Sequence, residues 1–141
     1  MPAPTASPLL SEAMLQRFRE RAPGYDRDNR FFQEDFDDLR QAGYLAIAAP
    51  RELGGRGFTF AECMREQRRL GYYAHATALA MNMHVYWVGV AADLWRAGDR
   101  SLEWMLRGAI DGEVFAAGHA ERGNDMPLFL STTKEERVAG G

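Results

Sequence analysis

The sequence has one cysteine, one lysine and no excess of positive charge. Cys63 is alone among 141 residues, which excludes an intrachain disulfide, and Lys134 is the single lysine. The formal net charge of −3 argues against nucleic acid as a main partner. The N-terminus lacks the basic start and the apolar core of a secretory signal. With 46% hydrophobic and 26% charged residues, the composition is that of a globular chain, and we expect a cytoplasmic protein.

Charge is also missing from Ala76 to Ala92, a run that imitates a membrane span. A spanning helix needs ~20 predominantly apolar residues. This run is shorter, carries Thr77, Asn82 and His84, and is followed at once by Asp93. We therefore expect the buried central helix of a helical domain, and no membrane partner.

Five segments have the periodicity and the end signals of α-helices. Ser7-Pro8 is typical of a helix start and Pro23-Gly24 of a helix end, so the first helix is expected between them. The second is expected over residues 33–42, with Gly43 as its left-handed cap. The remaining three are expected after Thr59, over residues 74–96 and over residues 101–110.

The connection between the second and third helices contains two distinct segments. Tyr44 to Ala49 is short and apolar, and we expect it to be buried and extended. The glycines at 54, 55 and 57 predict a structural turn, because GGRG matches neither phosphate-loop nor dinucleotide-binding fingerprints. Thr59 and Glu62 fit a capping box, in which each side chain accepts a free backbone N–H of the other residue.

Helical periodicity stops after the Asp111-Gly112 turn. Val114 to Ala117 and residues 128–130 and 132–138 are expected to be extended, yet two or three strands alone are marginal in water. The sequence therefore predicts a mainly α fold. An antiparallel helical domain of about five helices, residues 7–112, is expected to precede the first strands of an incomplete β-domain, residues 113–141.

Two stretches carry a resemblance to a known family. GYLAIAAPRELGGRGFTFAE, from Gly43 to Glu62, resembles the N-terminal helical domain of acyl-CoA dehydrogenases, where a variant of A-x-x-x-P-x-E-x-G-G-x-G joins the second and third helices. VFAAGHAERGND, from Val114 to Asp125, resembles the first strand of their β-domain. The resemblance implies FAD, or alternatively FMN. It places these residues nearest the cofactor: Ala117, Gly118, His119, Ala120 and Asn124.

The second stretch departs from the family pattern. Ala120 lacks the hydroxyl of the family's threonine, and His119 is unusual at its position. The pattern is closer to divergent members, which include flavin monooxygenases on the same fold. For His119 two interpretations stay open: a donor to the flavin, or a strand-end histidine bonded to a backbone carbonyl.

Asn82 and His84 are the polar residues of the apolar fourth helix. Because they are two residues apart, they do not share a face. Either they make structural hydrogen bonds in the helical core, or one of them lines the substrate cavity, since this helix borders the acyl pocket in the family.

No catalytic residue is assigned, because the family's catalytic glutamate comes from a C-terminal bundle that this sequence lacks. His75, His84 and His119 show no metal-ligand spacing. The resemblance implies α,β-dehydrogenation of an acyl-CoA by a homotetramer or dimer. The alternatives are a flavin monooxygenase and a non-catalytic helical fragment.

Overall fold

A computed structural model describes residues 7–117 and residue 136. The mainly helical prediction is confirmed, because five α-helices account for most of this part of the chain. They are α1 (Glu12–Arg27), α2 (Gln33–Ala42), α3 (Phe60–Tyr73), α4 (His75–Arg96) and α5 (Glu103–Ile110). Two short 3-10 helices, Tyr44–Ala46 and Arg51–Leu53, lie between α2 and α3.

The ends of α2 and the start of α3 form as their local signals predict. Gly43 has a φ of 79°, the left-handed conformation that glycine adopts most easily, and its N–H donates to the Leu39 and Arg40 carbonyls in the last turn of α2. At the start of α3 the Thr59 N–H donates to the Glu62 carboxylate at 2.8 Å. In return, the Glu62 N–H donates to the Thr59 hydroxyl at 3.4 Å, which completes the capping box.

Both ends predicted for the first helix are wrong. Ser11, not Ser7, caps α1, because its hydroxyl accepts the Met14 N–H at 3.2 Å. The helix also continues through Pro23 to Arg27. Tyr25, buried beyond the proline, donates a hydrogen bond to Asp35 at 3.1 Å. This tertiary contact holds the last turn in place against the local stop signal.

The apolar segment after α2 is buried, as expected, but it is not extended. It forms the first 3-10 helix and then bends through Ala49. The glycine turn folds back onto it: the Phe58 N–H donates to the Ile47 carbonyl at 2.9 Å and the Gly57 N–H to the Ala49 carbonyl at 2.8 Å. These hydrogen bonds give the carbonyls of the buried residues Ile47 and Ala49 backbone partners within the same connection. A Cβ at Gly55 would collide with the Ala49 carbonyl.

The centre of the core is α4, which packs against α3 and α5. Its buried face includes Ala78, Met81, Val85 and Val88, and its last turn reaches back to the connection, where the Arg96 guanidinium donates to the Ala48 and Phe58 carbonyls at 3.1 and 3.2 Å. In the described part of the chain, no helix has the length and apolar character needed to cross a membrane.

The segment after α5 leaves the turn at Gly112, which has a φ of 94°, and runs alongside α5. No strand is assigned to residues 113–117, so the strand predicted at Val114 to Ala117 is not shown by the described residues. Within this segment the Phe115 N–H donates to a side chain. The predicted strand at 128–130, and that at 132–138 apart from Glu136, lie outside the described residues. The domain boundary at 112/113 stays a prediction.

Candidate functional site

His84 joins three parts of the structure that are far apart in sequence. Its side chain on α4 is 1% exposed. Nε2 lies 2.8 Å from the carbonyl oxygen of Leu45 in the first 3-10 helix, and Nδ1 lies 3.1 Å from the backbone nitrogen of Phe115 after α5. Because a carbonyl only accepts and an N–H only donates, the ring must be neutral, with its proton on Nε2.

The surroundings of His84 favour that neutral form. Burial lowers the pKa of His84 from its usual value, and the bond to the Leu45 carbonyl opposes this only in part. The proton on Nε2 and the lone pair on Nδ1 are therefore both engaged with backbone groups at neutral pH. A histidine with both ring nitrogens occupied in this way is a structural link between segments.

Phe115 is packed between His84 and α5. Its ring stacks on the imidazole with centroids 6.1 Å apart and an interplanar angle of 10°, and the Trp104 ring meets it edge-on at 5.7 Å. Gly108 allows the approach, since a Cβ there would lie 2.9 Å from Phe115 and would collide with the Glu113 carboxylate. The Glu113 N–H also donates to the Gly108 carbonyl at 2.8 Å.

This packing sets the position of the segment that leads into the predicted cofactor residues. Of those five, Ala117 is described and is partly buried at the end of that segment. Gly118, His119, Ala120 and Asn124 lie outside the described residues. The cofactor-binding role of all five stays a prediction.

Asn82 occupies a different environment from His84. It is exposed and lies at a groove of about 330 Å³ between α3 and α4, so the two residues do not share a face. The groove is mostly apolar and ends at the Asp93–Arg96 ion pair, whose N–O distance is 3.0 Å. Its apolar lining includes Phe58, Phe60, Met64, Val85, Tyr86 and Val90. The substrate-binding role predicted for Asn82 and His84 stays a prediction.

Other reactive side chains in the described part of the chain are occupied or isolated. Burial raises the pKa of the Cys63 thiol to about 11, so this residue at the groove is a protonated, unreactive thiol near neutral pH. His75, at the first position of α4, is exposed. Among residues 7–117, no group of three or more His, Cys, Asp or Glu side chains is placed to hold a metal ion.

Sequence reasoning did not identify Phe115, Gly108 or the Leu45 carbonyl as parts of this arrangement. Gly108 carried a usable signal, because a glycine inside a helical pattern often marks a close approach of another segment. The partners of His84 carried none, since they lie 39 and 31 residues away along the chain.

Comparison with known proteins gives two matches. The family model described as acyl-CoA dehydrogenase, N-terminal domain, matches residues 10–104. The chain is also similar to the Bacillus subtilis (strain 168) protein named "Putative acyl-CoA dehydrogenase YdbM", with 33% identity over 76 residues. That match covers 54% of this chain and 20% of the relative, so the chain spans only about a fifth of the relative's length. No solved structure matches the chain.

Proposed function

This chain belongs to the acyl-CoA dehydrogenase family, through the N-terminal domain of that family. We propose that it functions as part of a flavin-dependent oxidoreductase. The reaction proposed is dehydrogenation of an acyl-CoA thioester between its α and β carbons. The observation that carries the proposal is the family match over residues 10–104, which includes four of the five helices and the start of α5. The activity belongs to the whole protein, of which this chain supplies the helical layer.

Within this proposal the cofactor is FAD, with FMN as the alternative, and it is held by Ala117, Gly118, His119, Ala120 and Asn124. A flavin ring presents carbonyl and ring-nitrogen acceptors, which suit backbone N–H donors. A bound flavin supplies the hydride acceptor for the reaction. The chain's own share is to hold that group with backbone donors at a fixed position.

The substrate is proposed to contact α4 through Asn82. This residue is exposed at the groove between α3 and α4, and the apolar lining of that groove suits an acyl chain. His84 lies behind this surface, with both ring nitrogens bonded to the backbone. No residue of this chain is proposed as the catalytic base.

A flavin monooxygenase on the same fold is the second candidate. The sequence GHAERGND favours it, because Ala120 lacks a hydroxyl and His119 adds a polar ring where the cofactor is expected. A homo-oligomer, tetramer or dimer, and a cytoplasmic location are also proposed. Large apolar side chains that are exposed outside the groove in the described part support further protein contacts, among them Phe31, Tyr72, Leu79 and Trp104.

The cofactor assignment is tested on the natural gene product by releasing its flavin with acid and identifying it by mass spectrometry. We expect FAD in the parent and a lower flavin content in a His119→Ala variant, because the variant has no imidazole to contact the flavin ring. His75→Ala is the matched control, since His75 is exposed at the start of α4, and it should keep the parent's content.

A parent protein that neither carries flavin nor takes it up on titration would contradict the proposed function. If His119→Ala and His75→Ala both retain full flavin, the donor interpretation of His119 is wrong and the structural interpretation stands.

A further inference from the structure

We propose that His84 is a positioning residue, which fixes the start of the predicted cofactor segment by accepting the Phe115 N–H on Nδ1. It can do so only as a neutral imidazole with its proton on Nε2. The consequence for the cofactor rests on the function proposed above. The link between His84 and Phe115 stands on the geometry of the described residues alone.

The two ring bonds of His84 define a directional bridge. The Nε2–H donates to the Leu45 carbonyl at 2.8 Å, which fixes the ring plane and leaves Nδ1 as an acceptor. That acceptor faces the Phe115 N–H at 3.1 Å. The first 3-10 helix is buried and packs against α5 and α4, so the bridge holds the segment to the core.

Nothing else in the described part replaces this hydrogen bond. Of residues 114–117, Phe115 is the one whose N–H has a partner among the described residues, and that partner is His84. Glu113, two residues before Phe115, is held differently, because its N–H donates to the backbone carbonyl of Gly108 at 2.8 Å. The segment is thus held at Phe115 by a hydrogen bond whose acceptor titrates, and at Glu113 by a hydrogen bond whose acceptor does not.

Protonation of His84 removes the acceptor. A proton on Nδ1 would point at the Phe115 N–H, so two donors would face each other and the bridge would open on that side. The Leu45 bond can persist, because Nε2 keeps its proton. The segment then keeps its hydrogen bond at Glu113 and loses the one at Phe115, two residues before Ala117.

None of the charged or titratable groups described on the surrounding elements bonds to the His84 ring. The Tyr44 hydroxyl, from the first 3-10 helix, donates to Gln67. On α5, Glu103 accepts the Arg107 guanidinium, and the Glu113 carboxylate lies over Gly108. On α3 and on α4 itself, the ion pairs Glu66–Arg69 and Asp93–Arg96 are each made within one helix. Burial and the Leu45 carbonyl are what move the pKa of His84, so acid acts on this bond through the imidazole.

The test measures amide hydrogen exchange at Phe115 and Glu113 in the ¹⁵N-labelled 141-residue chain as a function of pH. Exchange is expressed as a protection factor, so that the intrinsic pH dependence of exchange cancels. We expect Phe115 protection to fall about tenfold for each pH unit below the pKa of His84, while Glu113 protection stays constant. Long-range ¹⁵N–¹H correlation of the ring should show the proton on Nε2.

The matched variant is His84→Gln, whose amide can donate to Leu45 and accept from Phe115 but does not titrate. The variant should keep Phe115 protection at every pH. If His84 only fills space, the variant should instead show the same pH profile as the parent. His75→Gln, the exposed histidine of the same helix, should reproduce the parent's profile.

A proton on Nδ1 in the parent at neutral pH would overturn the proposal, as would a pH-dependent loss of Phe115 protection that survives in His84→Gln. Neither readout uses a cofactor, so a failure here leaves the flavin assignment standing. In the same way, a gene product without flavin would leave the His84–Phe115 bridge standing. The parent's tautomer and pH profile decide the question even if a variant does not fold.

Discussion

One carboxylate of this domain, that of Asp35, is buried together with its counter-charge. Asp35 is 0% exposed, and its carboxylate accepts from Arg21 at 3.0 Å, Tyr25 at 3.1 Å and Thr77 at 3.5 Å. The Arg21 guanidinium is the one cation of this group, and the carboxylates of Asp35 and Asp38 hold its pKa above the usual value. Loss of Arg21 would leave a buried carboxylate without its counter-charge.

We expect Arg21→Met to lower the free energy of unfolding by about 3 kcal/mol, as measured by urea denaturation of the 141-residue chain. The matched control is Arg17→Met on the same helix. Arg17 is 46% exposed and meets Asp38 at 3.6 Å, so its removal should cost less than about 1 kcal/mol. Equal losses in the two variants would show that burial of Asp35 does not set the cost.

At the scale of elements, the connection between α2 and α3 depends on one close backbone approach. The glycine turn bonds back to residues 46–49, and Gly55 sits where any Cβ would meet the Ala49 carbonyl. A Cβ at Gly89, in the interior of α4, would meet nothing within 4 Å. The two glycines therefore differ in the reason that no side chain is present.

We expect Gly55→Ala to destabilise the chain by about 1–3 kcal/mol, because the backbone must shift to admit the methyl group. Gly89→Ala should stabilise the chain by about 0.5–1 kcal/mol. Alanine has fewer backbone conformations than glycine in the unfolded chain, so it loses less entropy when the helix forms. The check is the change in melting temperature of each variant. A stabilising Gly55→Ala would mean that the turn is not packed against Ala49.

Elements with strong local signals were predictable from the sequence, and elements decided by distant contacts were not. The bounds of α2, the Gly43 cap and the Thr59–Glu62 box are encoded within a few residues. The end of α1 was mispredicted, because Pro23 is a stop signal that the contacts of Tyr25 override.

The same distinction applies to the candidate site. An apolar run such as Tyr44 to Ala49 does not separate an extended segment from a 3-10 helix, since its periodicity is too short to decide. The separate faces of Asn82 and His84 followed from helix geometry. The backbone partners of His84 could not be predicted, because no local pattern records which carbonyl or N–H a buried ring will meet.

At the scale of the whole molecule, residues 7–117 form a helical layer with its own core, and α4 is the element that serves both sides of it. One face of α4 is exposed at the groove with Asn82, and the other holds His84 between the first 3-10 helix and the segment after α5. The groove is the proposed substrate side of α4, and on the opposite face the His84 bridge positions the start of the proposed cofactor segment.

The dehydrogenase assignment is tested by anaerobic addition of a series of acyl-CoA thioesters to the flavin-loaded natural gene product, followed by visible absorbance. We expect that at least one thioester bleaches the oxidised flavin band as the acyl chain gains an α,β double bond. The contrary result has two parts: no acyl-CoA reduces the flavin, and the protein consumes oxygen when reduced flavin is supplied. That result would contradict the dehydrogenase assignment and favour the monooxygenase.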